Sequence, residues 1–190
     1  MGQNLRGVVV YGSLLVPLEL REWLDGVENR ASRVKVSGFE RVFDAEAEQR
    51  ETSGTRRAVL NLHEREESWF NGLLIPRLDP KEYEAYVTRE TGYEFGEVDA
   101  DRITPYVDEV ATVDVDSDPI VAVNAPASNG IRPVPSYLKN CLKGASYWGS
   151  NFYDDFLDST RLTSGRSLRS YVESTRKGRS RPGSKTKRPS

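Results

Sequence analysis

The chain has 190 residues, 37% of them hydrophobic and 29% charged, with a formal net charge of −2. That length suits one domain with a sizeable core, and the composition is that of a globular protein rather than a membrane span or a low-complexity polymer. The sequence shows no apolar run near the roughly 20 residues that a spanning helix needs, and Met1 to Arg6 lack a secretory signal pattern, so a cytoplasmic protein is expected. A single cysteine, Cys141, excludes an internal disulfide, and a single histidine, His63, excludes a multi-histidine metal centre. No metal or cofactor is expected.

The most informative stretch comes first. Val8, Val9 and Val10 have the composition of a buried strand, and the run stops at Tyr11-Gly12-Ser13-Leu14. Gly12 permits close backbone approach there, and the amides of the turn can converge on an anion. A structural Gly-Ser turn is the plain alternative. Neither the dinucleotide nor the P-loop glycine pattern is present. A helix follows, with Leu18, Leu20, Trp23 and Leu24 as its apolar set.

Ser32 to Ser37 reads as a strand, and Gly38-Phe39-Glu40-Arg41-Val42-Phe43 as its continuation or partner. Residues 46–56 are polar and read as a loop. Ala58 to Leu62 and Trp69 to Ile75 supply two more strands, with Glu64 to Glu67 as a solvated turn between them. His63 falls at the end of the first of these and is read as structural or exposed.

Asp79-Pro80-Lys81-Glu82 opens a helix, Asp79 as its cap and Pro80 at its first position, with an end expected near Thr91-Gly92. At ~100° per residue, Glu90 lies about 20° from Tyr83 and about 40° from Tyr86, so its carboxylate projects from the apolar face. Glu82, Glu84 and Arg89 are expected to point elsewhere. A carboxylate on that face is either an acid or base facing a pocket, or one that reaches solvent or pairs with an arginine.

Tyr93 to Val98, Ala111 to Val115 and Ile120 to Val123 read as strands. Asp114, Asp116 and Asp118 lack the glycine and glutamate of a calcium loop and are taken as turn charges. Helices are expected over Tyr137 to Ala145, from Asn151 through Leu157, and from Thr163 to Thr175. Cys141 lies beside Leu138 and Leu142 in the first of these and reads as a small buried hydrophobe. From Arg176 onward the chain carries seven positive charges and no acid, leaving −9 on residues 1–175. This tail, residues 176–190, is expected to be disordered, with only weak nucleic-acid contacts. The acidic remainder argues against any other nucleic-acid role.

Four segments in this order resemble the γ-glutamylcyclotransferase-like family, which includes the AIG2-like proteins: Val10-Tyr11-Gly12-Ser13-Leu14, Gly38 to Phe43, Asn71-Gly72-Leu73-Leu74, and Arg89-Glu90-Thr91-Gly92-Tyr93. A fifth, Pro135-Ser136-Tyr137-Leu138 through Gly144-Ala145, resembles its carboxyl-terminal helical region. The resemblance covers roughly residues 7 to 160 of the expected domain, 1–175. It implies an α+β fold, a small mixed β-barrel flanked by helices, with a cavity at the end of the first strand. It further implies conversion of a small γ-glutamyl peptide or amine to 5-oxoproline with release of the amine. By position, Glu90 is then the catalytic carboxylate, Tyr11, Gly12, Ser13 and Leu14 hold the γ-glutamyl part, and Tyr137 lines the pocket. Leu14 stands where some members have Asn. A non-catalytic binding protein of the same fold is the alternative.

Overall fold

The computed structural model describes residues 6–24, 26, 29–47, 57–107 and 118–179. The first strand, β1 (Val8–Val10), is buried along its whole length. It runs antiparallel to β3 (Arg57–Ile75), pairing Val8 with Ile75 and Val10 with Leu73, and parallel to β6 (Ile120–Val123), pairing Val9 with Val121. Covered on both faces, its three valines each contribute about 2 kcal/mol of burial.

The frame is a long antiparallel pair, β2 (Ser32–Glu46) and β3. Gly38 to Phe43 is thus a continuation of the preceding strand. Glu64 to Glu67, expected to be a turn between two strands, lies within one. The register slips between Ser37 opposite Trp69 and Phe39 opposite Glu64, so residues 65–68 bulge out opposite Gly38. Gly38 has φ +88°, a torsion that glycine takes without strain, and a bulge leaves its extra side chains solvated. The acidic and basic residues there are exposed as a loop would be, and the strand continues through them.

The sheet path is β4 (Glu94–Glu97), β6, β1, β3, β2, β5 (Ile103–Pro105), with the short β7 (Arg132–Pro133) on β3 and β8 (Thr160–Leu162) on β2. It mixes parallel and antiparallel pairs, as expected. It is an open path rather than a closed barrel: among the described residues β4 and β5 share no ladder. Both are short, and an edge of three or four residues offers little to pair.

Among the described residues five α-helices accompany the sheet: α1 (Pro17–Trp23), α2 (Pro80–Arg89), α3 (Pro135–Tyr147), α4 (Ser150–Ser159) and α5 (Leu168–Arg179). Asp79 caps α2 through both the Lys81 and Glu82 amides, and Glu82 reaches back to the Asp79 amide. The last helix begins at Leu168 rather than Thr163, because Thr160 to Leu162 join β2 as a parallel strand. It also continues through Arg179, so Arg176 to Arg179 are helical where disorder was expected. Residues 180–190, and the strand expected over Ala111 to Val115, lie outside the described residues. No described helix is long and apolar enough to cross a membrane.

Arg41 sits at the join of α4 and the sheet, fully buried. Its guanidinium donates to Thr160 Oγ1 (2.8 Å), Asn71 O (2.6 Å), Asn71 Oδ1 (2.8 Å), Phe156 O (3.3 Å) and Ser159 Oγ (3.0 Å), and lies 4.0 Å from the Phe156 ring centroid. All five acceptors are neutral. Burial lowers its pKa to about 9, still above neutrality, so the group remains a cation held by dipoles.

Candidate active site

The chain leaves β1 at Tyr11 and turns through a short 3-10 segment, Ser13–Leu15. Leu15 N–H donates to Gly12 O and Val16 N–H to Ser13 O, which leaves the first amides of the turn without an intrahelical acceptor. Tyr11 points inward: its ring meets Phe70 edge-on at 5.7 Å, and its hydroxyl donates to Ala122 O at 2.8 Å. Burial pushes its phenol well above the usual value. Ser13 and Leu14 are buried as well.

Helix α3 holds this corner from behind. A β-carbon on Gly144 would stand 2.6 Å from the Leu15 carbonyl carbon, and Trp148 Nε1–H donates to Leu15 O at 2.8 Å. Tyr137, in the first turn of α3, packs edge-on against Phe43 at 6.3 Å and reaches Gly12. Burial raises its hydroxyl well above the usual value. Cys141 is buried within the same helix, as its apolar neighbours suggest.

Helix α2 supplies the opposite wall. It ends at Arg89, with Glu90 as its carboxyl-terminal cap and Gly92 at φ +97° beyond it. Glu90 is only 15% exposed, and burial raises its carboxyl above the ordinary value while the Arg89 guanidinium pulls it back. Glu90 faces a pocket, and it pairs with an arginine.

That arginine is a residue the helical register misses. Arg89, expected to point away, turns back into the site: Nη1 donates to Glu90 Oε1 (2.6 Å) and Nη2 to Ser13 Oγ (2.8 Å). A helical wheel places Cβ atoms, whereas a long side chain on the last helical residue can reach past its own sector. The neighbouring acid on the apolar face was the available signal.

Tyr11, Gly12, Ser13, Leu14, Glu90 and Tyr137 all line one cavity of about 1040 Å³, together with Arg89, Trp23, Tyr86 and Tyr93. Tyr93 donates its hydroxyl to Leu60 O at 2.5 Å. The cavity thus has aromatic walls, several carboxylates of which Glu90 is the one whose burial favours its protonated form, and a backbone turn whose first amides have no intrahelical acceptor. Such a site can move a proton on a small polar ligand while holding a developing negative charge. His63 is outside it, with Nε2 2.7 Å from Asp44 Oδ2. Among the described residues no group of three or more His, Cys, Asp or Glu is arranged for a metal ion.

No family model and no curated protein matches this sequence. Solved structures do match. YkqA from Bacillus subtilis is 17% identical with a TM-score of 0.57, over 80% of this chain and 52% of that one, so this chain spans about half its length. A γ-glutamyl cyclotransferase is 14% identical with a TM-score of 0.50, over 97% of this chain and 93% of that one. The uncharacterized protein loc79017 from Homo sapiens is 12% identical with a TM-score of 0.51, over 99% and 95%. The chain therefore has the γ-glutamylcyclotransferase-like fold.

Proposed function

We propose that the protein is a γ-glutamyl cyclotransferase, converting a γ-glutamyl peptide or amine to 5-oxoproline and releasing the amine, with Glu90 as general base and acid. The observation that carries this reading is the Glu90 carboxylate, largely withdrawn from solvent and lining the same cavity as the Tyr11 to Leu14 turn. The likeness of fold to a γ-glutamyl cyclotransferase supports it.

In this reaction the substrate's own α-amine attacks its γ-carbonyl carbon. The new carbon–nitrogen bond closes a five-membered lactam, and the bond to the departing nitrogen breaks. Nucleophile and electrophile belong to one molecule, so holding it folded supplies much of the acceleration, and no protein nucleophile is needed. The α-ammonium gives up two protons in all and the departing nitrogen gains two, so neither water nor net acid is consumed. Glu90 takes a proton from the ammonium and hands it to the leaving amine, a shuttle favoured by a carboxyl raised toward neutrality.

The amides of Gly12, Ser13 and Leu14 face the oxyanion that develops on the γ-carbonyl oxygen, and the Tyr11 and Tyr137 rings bound the aliphatic part of the γ-glutamyl group. Leu14 contributes apolar wall and its amide, since its side chain has no polar group.

The test is 5-oxoproline release from a panel of γ-glutamyl dipeptides, glutathione and γ-glutamyl amines. Release from any member supports the reading and identifies the leaving group. A panel without release contradicts it and leaves the cavity as a binding site.

A further inference from the structure

We infer that Arg89 and Glu90 together form a receptor for the α-amino-acid head of the ligand, their mutual ion pair being exchanged for two pairs with the ligand's own carboxylate and ammonium. The inference deepens the cyclotransferase reading and rests on it for the identity of the substrate.

Arg89 is anchored on one side only. Its Nη2 donates to Ser13 Oγ at 2.8 Å and lies 3.7 Å from Glu19 Oε2, while Glu19 Oε1 accepts from Asn140 Nδ2 at 2.7 Å. Its charge lies 5.8 Å from the Trp23 ring centroid. These contacts, from the β1 turn, α1 and α3, hold the guanidinium independently of Glu90. The Nη1 arm to Glu90 can therefore open without the group losing its place.

A second observation points to a ligand. Arg89 Nε is buried and has no hydrogen-bond partner among the described residues. A buried donor of a charged group left unpaired is costly, and a turn of the guanidinium about its Ser13 anchor as the Nη1 arm opens would bring it to an incoming carboxylate oxygen. Arg89 and Glu90 keep 17% and 15% of their side-chain surface open, and both line the cavity.

The charge pattern fits one class of head group. A γ-glutamyl compound carries ammonium and carboxylate on the same carbon, and the Arg89–Glu90 pair presents their complements on adjacent residues. Exchange replaces one partly buried ion pair by two, so neither protein charge is left bare. It also changes the base. With the substrate carboxylate on the guanidinium, Glu90 no longer feels Arg89 as its nearest cation and is left beside the ammonium whose proton it is to take.

The experiment compares L-glutamine, the simplest γ-glutamyl amide, with 4-aminobutanamide, which differs only in lacking the α-carboxylate and would cyclise to 2-pyrrolidinone. Binding is measured by calorimetry, and kcat and KM are measured on γ-glutamyl and 4-aminobutanoyl amides of one leaving amine, in wild type, Arg89→Gln and Arg89→Lys. Thermal melting verifies that the variants fold. The expected result is a wild-type preference for the α-carboxylate on the order of 100-fold, carried mostly in KM. It falls to within about threefold in Arg89→Gln and recovers in part in Arg89→Lys.

Loss of equal size for both compounds in Arg89→Gln overturns the inference, because the arginine then acts only through the fold. A wild type that binds glutamine through Arg89 but releases no 5-oxoproline from any substrate upholds the receptor and sinks the catalytic reading. A wild type that does neither overturns both.

Discussion

The hydroxyl of Tyr137 occupies the space that a β-carbon on Gly12 would need. The separation would be 2.5 Å, and the tyrosine cannot swing away because its ring is buried and packed edge-on against Phe43. Glycine at position 12 is thus dictated by a contacting neighbour from α3. Gly12→Ala is expected to cost about 2 kcal/mol and to displace the turn. Tyr137→Phe removes the clashing oxygen, so the double variant recovers part of that loss. A double-mutant cycle read by chemical denaturation measures the coupling, and additive losses would contradict the contact.

Gly144 plays the matching part behind the turn. A β-carbon there would meet the Leu15 backbone at 2.6 Å, so Gly144→Ala is expected to push α3 off the Ser13–Leu15 segment. The predicted loss is about 2 kcal/mol, with a fall in ligand affinity as well, since the displaced segment carries the site. Denaturation and calorimetry together test this, and unchanged affinity would separate the packing from the site.

Arg41 is predicted to matter for stability and not for chemistry. Lysine has three donors and cannot reproduce its five donations, so Arg41→Lys leaves part of the buried set on Asn71, Ser159 and Thr160 without its donor. A loss of about 3 kcal/mol is expected, with KM little changed in the folded fraction.

Glu90 gives stability a definite pH dependence. In the unfolded chain it ionises near its ordinary value of 4.5, and in the folded protein at higher pH because burial disfavours the charge. Between the two values the folded state keeps a proton that the unfolded state has lost, so stability falls as pH rises through that window. Glu90→Gln removes this contribution, and denaturation curves across the window should flatten relative to wild type. In kinetics the acid limb of kcat/KM reports Glu90 in the free enzyme, where Arg89 holds it down. Arg89→Gln should therefore move that limb to higher pH. A limb that stays in place would mean that the arginine does not tune the carboxylate.

Much of this site was legible because its parts rely on local chemistry. The valine run ending at Gly12, the Asp79 cap and the glycine beyond Glu90 each state their own conformation, and the resemblance put them in one pocket. The bulge at residues 65–68 was not legible, since charged residues in a strand look like a turn until the partner strand shows that pairing resumes at Trp69. Nor was β8 legible, because Thr160 to Leu162 become a strand only beside β2, in reach of Arg41. Arg89 was placed on the wrong side because its orientation is fixed by Ser13 and Glu19, both distant in sequence.

The role of Glu90 is tested by 5-oxoproline release from wild type and from Glu90→Gln, with circular dichroism to confirm that the variant is folded. Wild type is expected to release 5-oxoproline and the variant to lose at least about 1000-fold, since the amide can neither accept nor return the proton. Full turnover in a folded Glu90→Gln protein would contradict it.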